Sequence, residues 1–391
     1  MTRPKILIVD DEPFNVDYLE QELEELDYLT ITATNGKEAL DKVQSEAPDL
    51  VLLDIMMPVM DGFEVLRRLK AEPATRDIPV IVISASNSLQ SVVKGIQLGA
   101  EDYLPKPFEP VLLHARISSS MEKKRLRDLQ QLYLKSLERE LEIAREIQLG
   151  FLPSELPEVE GWDIEAYFKA AREVAGDFYD AFLLPDGSLA CVIGDVCGKG
   201  VGAALFMTLF RSLIRATSTT DYFSGQNAEP ALTPAQRLQH AISFTNKYIA
   251  ETHGDANMFA TVVVGIFNLT DGRLTYINCG NEPPLVVGKS GAITALQPTG
   301  PVIGLIPEVQ FSVKEIVLER ESLYLAFTDG IPDALNPDDD SFGNDRMHLT
   351  LNGADTTPAV LVKNIGEQLR RFIGPADQFD DITLLAVKRN L

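Results

Sequence analysis

Four apolar runs near the start of the chain each end on a residue that can do chemistry. Asp10 and Asp11 follow "KILIV", Asp54 ends "DLVLLD", Ser84 ends "PVIVIS", and Lys106 comes just after the "DYLP" run. If these runs are parallel strands of one open sheet, their carboxyl ends open on a single crevice. An acid pair, an acid, a hydroxyl and an amine would then share one pocket. Three carboxylates together repel one another unless a hard cation is bound, and Mg²⁺ suits oxygen ligands. With Mg²⁺ in place, one carboxylate can act as a nucleophile on a phosphoryl group. The lysine and the hydroxyl can hold the phosphoryl oxygens.

A second set of acids lies further along. "GDVCGKG" (194–200) has the glycines and lysine of a phosphate-cradling loop. That reading fails twice. Only Asp195, Val196 and Cys197 separate Gly194 from Gly198, where a P-loop needs four residues, and Gly200 stands where it needs Ser or Thr. What remains is an aspartate at the end of "SLACVIGD", followed by a tight turn into an Ala/Leu/Met-rich helix. "VAGDFYDAF" places Asp177 after Gly176, "YLAFTDGIPDA" places Asp329 after an apolar run, and "DQFDDITLLAV" places Asp380 and Asp381 before another. Acids at strand ends in tight loops are what a binuclear hard-metal site requires. The four histidines (His114, His240, His253, His348) lie outside these stretches and the three cysteines lack paired ligand spacing, so Mg²⁺ or Mn²⁺ is favoured over zinc. Asp180 and Asp333 read equally well as turn formers.

The elements that must position these residues differ between the two halves. Over the first 120 residues, strand-like runs at 5–9, 28–33, 49–54, 79–84 and 102–105 alternate with helical patterns at 14–26, 36–45, 62–70 and 91–99, and a last helix starts near Glu109. Five βα units imply a doubly wound parallel sheet with helices on both faces. From 118 to 150 the chain has no Gly or Pro before Gly150. Leu134, Leu137, Leu141, Ala144 and Phe151 keep a 3,4 spacing, and Leu126, Leu129 and Tyr133 keep it one residue out of phase. This predicts a long amphipathic helix with a register break, a short coiled coil favouring self-association as a homodimer. After the proline-marked "LPSELPEVEGWD" (152–163), strand-like stretches at 189–194, 260–267, 273–277, 285–287, 323–327 and 382–387 mix with helical ones at 200–216, 234–252 and 358–372. "PDG" (185–187) and "TDG" (270–272) read as hairpin connections, hence an α+β arrangement. The polar stretch 217–232 reads as a loop. The expected division is 1–120, a helical linker over 121–151, and 152–391.

Over residues 4–120 the chain resembles the response-regulator receiver domain: "VDDE", "LLDIMMPVMDG", "ISA" and "KPF" occur in order and in spacing. The resemblance implies that Asp54 is phosphorylated by a histidine kinase. It further implies that Asp10, Asp11, Asp54 and the Met56 carbonyl hold Mg²⁺, that Ser84 and Lys106 bind the phosphoryl group, and that Tyr103 is the aromatic that changes rotamer.

From about Leu141 to Val387 the chain resembles the bacterial, sporulation stage II branch of the metal-dependent PPM (type-2C) serine/threonine phosphatases. "LEIAREIQLGFLP", "GDFYD", "GDVCGKG", "MFATVVVGIFN", "NCGNEPPL", "FTDGIPDA" and "DQFDDIT" carry it. It implies two stacked antiparallel sheets flanked by helices, an αββα sandwich. It implies two or more Mn²⁺ or Mg²⁺ ions, with Asp195 bridging two of them, the Val196 carbonyl on one, Asp329 and Asp380 completing the other shell, and Asp177 acting through water. A water between two cations would be the nucleophile. Asp381 is the lesser ligand of its pair. Three departures stand out: Ala175 where a second Gly is usual, Cys197 where Ser is usual, and Asn281 where His is usual. The implied substrate is a phosphoserine or phosphothreonine protein, such as a STAS-type anti-sigma-factor antagonist in a partner-switching pathway.

Composition bounds the rest. The chain has 391 residues, 45% hydrophobic and 24% charged, enough to build more than one core. A formal net charge of −23 argues against nucleic acid and anionic membrane as partners. No apolar run is long enough to span a bilayer, the first residues do not read as a signal peptide, and three sparse cysteines suit a reducing cytoplasm. The rival readings are an inactive phosphatase fold that sequesters a partner, and a nucleotide cyclase or diguanylate synthase. The latter lacks a "GGDEF"-like turn and a basic set for a triphosphate.

Overall fold

The computed structural model describes residues 3–84, 89–219, 232–351 and 357–390. The chain divides into two compact units, residues 1–137 and 138–391. In the first, strands β1 (Lys5–Val9), β2 (Leu29–Ala33), β3 (Leu50–Asp54), β4 (Val80–Ser84) and β5 (Asp102–Pro105) alternate with helices α1 (Pro13–Glu25), α2 (Gly36–Glu46), α3 (Gly62–Ala71) and α4 (Leu89–Gln97). The strands are all parallel, in the order β2-β1-β3-β4-β5. Alternate side chains of β1 enter two cores. Ile6 and Ile8 pack with Leu19, Leu23, Leu113 and Ile117, while Leu7 and Val9 pack with Ala39, Val43, Val65 and Leu66. Burial on both faces is why the interior strands β1, β3 and β4 read as unbroken apolar runs. Asn35 and Asp61 cap α2 and α3 by accepting from the backbone N–H groups of Glu38 (3.0 Å) and Glu64 (2.8 Å). The second of these caps closes the loop that leaves Asp54.

Helix α5 (Pro110–Leu149) is 40 residues long and unbroken. Leu113 and Ile117 belong to the core of the first unit. The boundary expected at 120/121 therefore falls inside a helix, because no Gly or Pro interrupts residues 111–149. Leu126, Leu129, Leu132, Tyr133, Leu134 and Leu137 are exposed along it.

The second unit contains β6 (Trp162–Lys169), β7 (Phe178–Leu183), β8 (Leu189–Val196), β9 (Ala260–Phe267), β10 (Arg273–Cys279), β11 (Leu285–Val287), β12 (Ile293–Ala295), β13 (Lys314–Val317), β14 (Leu323–Phe327) and β15 (Ile382–Arg389). Its helices are α6 (Val201–Thr219), α7 (Pro234–Thr252), α8 (Gly343–Leu351) and α9 (Pro358–Ile373). Two antiparallel sheets form, ordered β13-β10-β9-β8-β7 and β12-β11-β14-β15-β6. The alternation of β8 and β15 makes the layers. Leu189, Cys191 and Ile193 meet Leu385 and Val387 in a core shared by the two sheets. Ala190 and Val192 face Met207, Phe210, Leu238 and Ile242 of α6 and α7. Leu384 and Ala386 face Leu361, Ile365 and Leu369 of α9. The result is the αββα sandwich that the resemblance implies, with "PDG" and "TDG" joining β7 to β8 and β9 to β10 as hairpins. Of the polar stretch expected as a loop over 217–232, residues 220–231 lie outside the described residues, and 217–219 belong to α6.

Candidate functional site

In the first unit, the parallel register carries Asp10, Asp54 and Ser84 to one edge of the sheet. Lys106 reaches across it: its Nζ lies 2.7 Å from Asp10 Oδ2 and 3.0 Å from Asp54 Oδ2. Asp10, Asp11 and Asp54 each offer an oxygen within 4.8 Å of the others. Asp10 Oδ1 also accepts from the backbone N–H of Glu12 (3.0 Å) and from Asn15 Nδ2 (3.1 Å), which fixes its rotamer. Burial pushes the Asp54 carboxyl above its ordinary value, against the opposing pull of the Lys106 ammonium. Burial also disfavours the charge on Lys106, but Asp10 and Asp54 outweigh it and hold that ammonium above its ordinary value. The backbone N–H of Met56 donates to Asp54, and the Met56 side chain is exposed. The Tyr103 hydroxyl donates to the Ser84 carbonyl at 3.3 Å, so these two residues are linked at the ends of β4 and β5.

In the second unit, two pairings assemble the acids. Phe178 pairs with Gly194 between β7 and β8, which sets Asp177 beside Asp195. Phe327 pairs with Leu384 between β14 and β15, which sets Thr328 and Asp329 beside Asp381 and Thr383. The two sheets are then laced together at this end. Asp177 accepts from Thr328 Oγ1 (2.7 Å) and Thr383 Oγ1 (2.5 Å). Asp381 accepts from the backbone N–H of Ala171 (2.7 Å) and Gly176 (2.8 Å). Both oxygens of Asp381 are thus committed to backbone. Two glycines permit the close approach: a Cβ on Gly176 would lie 2.7 Å from the Val196 carbonyl oxygen, and one on Gly330 would lie 1.8 Å from that of Asp381.

This centre is short of positive charge. Burial, then the charges of Asp329, Asp380 and Asp381, push the Asp195 carboxyl up to about 7. Burial and neighbouring carboxylates also raise Asp177 and Asp329. Among the described residues, the one ammonium or guanidinium ion-paired with these acids is Lys199, 3.0 Å from Asp380 Oδ2. The side-chain donors are all carboxylate oxygens, with Cys197 engaged instead by the backbone of Phe259 and Asn257. Hard divalent ions fit that chemistry. Among the described residues no three of these acids gather one oxygen each within 4.8 Å, as the Asp10 set does.

Several participants have no signal of their own in the sequence. Thr328 and Thr383 flank the acids but read as ordinary strand residues. Gln148, in the last turn of α5, is buried; its Nε2 donates to the Ala175 carbonyl (2.7 Å) and its Oε1 accepts from the Ala175 N–H (3.0 Å). Asn281 is a structural clasp: it accepts from Thr261 Oγ1 (3.3 Å) and donates to the Phe327 carbonyl (3.0 Å). Asp180, read equally well as a turn former, lies inside β7 and is held by Arg211 (2.9 Å) and Arg215 (2.8 Å).

Fold and sites together define a receiver unit followed by a PP2C-like phosphatase unit. Residues 185–390 match the family model "Stage II sporulation protein E (SpoIIE)", more than half of the chain, and residues 6–118 match "Response regulator receiver domain". The chain belongs to the stage II sporulation protein E family and carries a response-regulator receiver domain at its N-terminal end. It is similar to Protein IcfG of Synechocystis sp., 41% identical over 263 residues, covering 64% of this chain and 42% of that protein. It is also similar to Response regulator PleD of Caulobacter vibrioides, 45% identical over 115 residues, covering 29% of this chain and 25% of that protein. The chain thus spans less than half the length of these curated relatives. The SiaA-PP2C domain of Pseudomonas aeruginosa shares the fold, with a TM-score of 0.55 and 20% identity over 66% of this chain and 98% of that one.

Proposed function

We propose that the chain is a response regulator whose receiver, phosphorylated on Asp54 by a histidine kinase, controls a Mg²⁺- or Mn²⁺-dependent protein serine/threonine phosphatase. The observation that carries this reading is the cation-poor acid centre at the strand ends of the second unit, in which Asp177 and Asp381 are buried while Asp195, Asp329 and Asp380 remain open to solvent. Asp195, Asp329 and Asp380, with the Val196 carbonyl, would hold two or more divalent ions. When bound, such ions supply charge neutralisation at phosphorus and an activated water. The rest of the work falls to the chain itself. Thr328 and Thr383 orient Asp177, Asp381 ties the Ala171–Gly176 loop to β15, and the closely packed Gly176 and Gly330 hold the acids at fixed separation. Positioning of this kind is where a phosphoryl-transfer site gains most of its rate.

In the receiver, Asp10, Asp11, Asp54 and the Met56 carbonyl would hold Mg²⁺, with Ser84 and Lys106 on the phosphoryl oxygens and Tyr103 as the switch. The exposed leucines of α5 support a homodimer through a coiled coil, and the free cysteines suit the cytoplasm. Among the described residues no helix is long and apolar enough to cross a membrane. The substrate is a phosphoserine or phosphothreonine protein, with a STAS-type anti-sigma-factor antagonist as the first to try. Turnover of such a protein by the purified chain should require Mn²⁺ or Mg²⁺ and fall at least about a hundredfold in Asp195→Asn. Metal binding without turnover in the unaltered chain would favour an inactive, partner-sequestering fold.

A further inference from the structure

Lys199 sits in the loop between β8 and α6, yet its ammonium serves the other sheet. It lies 3.0 Å from Asp380 Oδ2, donates to the Phe379 carbonyl at 2.6 Å, and stands 4.5 Å from the centre of the Phe379 ring. The other acids are satisfied differently. Asp381 is held by backbone N–H groups and Asp177 by threonine hydroxyls. Asp380 Oδ1 accepts from the Asp381 N–H at 2.9 Å, which leaves Oδ2 to Lys199. A lysine that occupies one oxygen of an acid in a metal-suited cluster is a cation standing where a stronger one is wanted. Its surroundings let it leave. Gly198 and Gly200 flank it with φ of 89° and 83°, and a Cβ on either would meet nothing within 4 Å. Its side chain is 34% exposed, so a displaced ammonium regains water at little cost.

We propose that Lys199 is the built-in counter-cation of the acid centre: its ammonium holds Asp380 in the metal-free protein and must yield that carboxylate to an incoming divalent ion, so that Lys199 sets the metal affinity of the site. This deepens the metal-dependent reading above and rests on it. Two consequences have opposite signs. Removing the charge takes away a competitor and a repelling neighbour, which tightens metal binding. It also leaves the metal-free acids uncompensated, which lowers the metal-free melting temperature.

The test is calorimetric titration of Mn²⁺ into the full chain, beside Lys199→Met, Lys199→Gln and Lys199→Arg, reading the binding that Asp195→Asn removes so that the receiver acids do not contribute. An exposed ion pair of this kind predicts Mn²⁺ binding roughly two- to fivefold tighter in the Met and Gln variants. The Arg variant should keep the original affinity. In an Asp380→Asn background the Met substitution should tighten binding less, because only the repulsion and not the competition remains to be removed. A lower melting temperature of the Met variant in chelator, restored by Mn²⁺, completes the signature. Equal or weaker Mn²⁺ binding in both neutral variants, with the unaltered chain binding Mn²⁺ and turning over substrate, overturns the inference about Lys199 alone. No Mn²⁺ binding lost on Asp195→Asn in the unaltered chain overturns the metal-dependent reading with it.

Discussion

Asp195 shows how burial and charge together define what a residue can do. Its carboxyl is pushed from an ordinary 3.8 to about 7, by burial first and then by Asp329, Asp380 and Asp381. A group whose folded value is raised contributes stability that is present at acid pH and lost as pH climbs through the folded value. The metal-free chain should therefore melt at progressively lower temperature as pH rises from about 4 to about 7 and level off above, and saturating Mn²⁺ should remove that slope. Mn²⁺ affinity should rise over the same range and then level off, because binding must displace a proton. Thermal melts with chelator and with Mn²⁺ check this, and Asp195→Asn should flatten the metal-free slope. The acids themselves were legible in the sequence because each lies at one end of an apolar run, with a glycine beside Asp177, Asp195 and Asp329. Their partners were not. Thr328, Thr383 and Lys199 matter only through atoms more than fifty residues away in at least one direction, which spacing along the chain does not reveal.

At the scale of elements, the readable strands of the second unit are its interior ones: β8, β9, β10, β11, β14 and β15. Those without a clear signal, β6, β7, β12 and β13, are the four edges of its two sheets. The cause is physical. An interior strand is apolar on both faces, as in the wholly buried β14, whereas the exposed "KEIV" of β13 and the half-buried "WDIEAYFK" of β6 face water along one edge. β7 is buried but carries Asp180, whose charge is masked by Arg211 and Arg215 from α6. Helix α5 was legible as a long helix but not in its unbroken length, since the start of its amphipathic stretch gives no hint that it continues the preceding helix. Its last turn holds Ala175, two residues before Asp177, through both amide atoms of Gln148. Replacing Gln148 by Leu leaves two backbone groups without partners, at about 1–3 kcal/mol each. We expect that variant to melt at lower temperature and its turnover to stop responding to the state of Asp54. Unchanged responsiveness would mean that the helix does not act through this contact.

For the whole molecule, the order of parts carries the argument: an acid–lysine pocket suited to accept phosphate, one continuous helix, and an acid centre suited to remove it. The receiver half was almost fully legible, because a parallel sheet brings sequence motifs together by a single rule, strand ends to one edge. In the second half the interior strands and the acids were legible, but the convergence of the acids was not, because it depends on β14 pairing with the distant β15 and on the two sheets meeting at one end. The central claim is that the state of Asp54 controls metal-dependent phosphatase turnover. The most direct measurement is Mn²⁺-dependent release of phosphate from a phosphoserine protein by the full chain, with and without beryllofluoride, beside Asp54→Ala and Asp195→Asn. The account predicts turnover that Asp195→Asn abolishes, that beryllofluoride changes several-fold, and that no longer responds to beryllofluoride in Asp54→Ala. Metal-dependent turnover that is identical with and without beryllofluoride would contradict it.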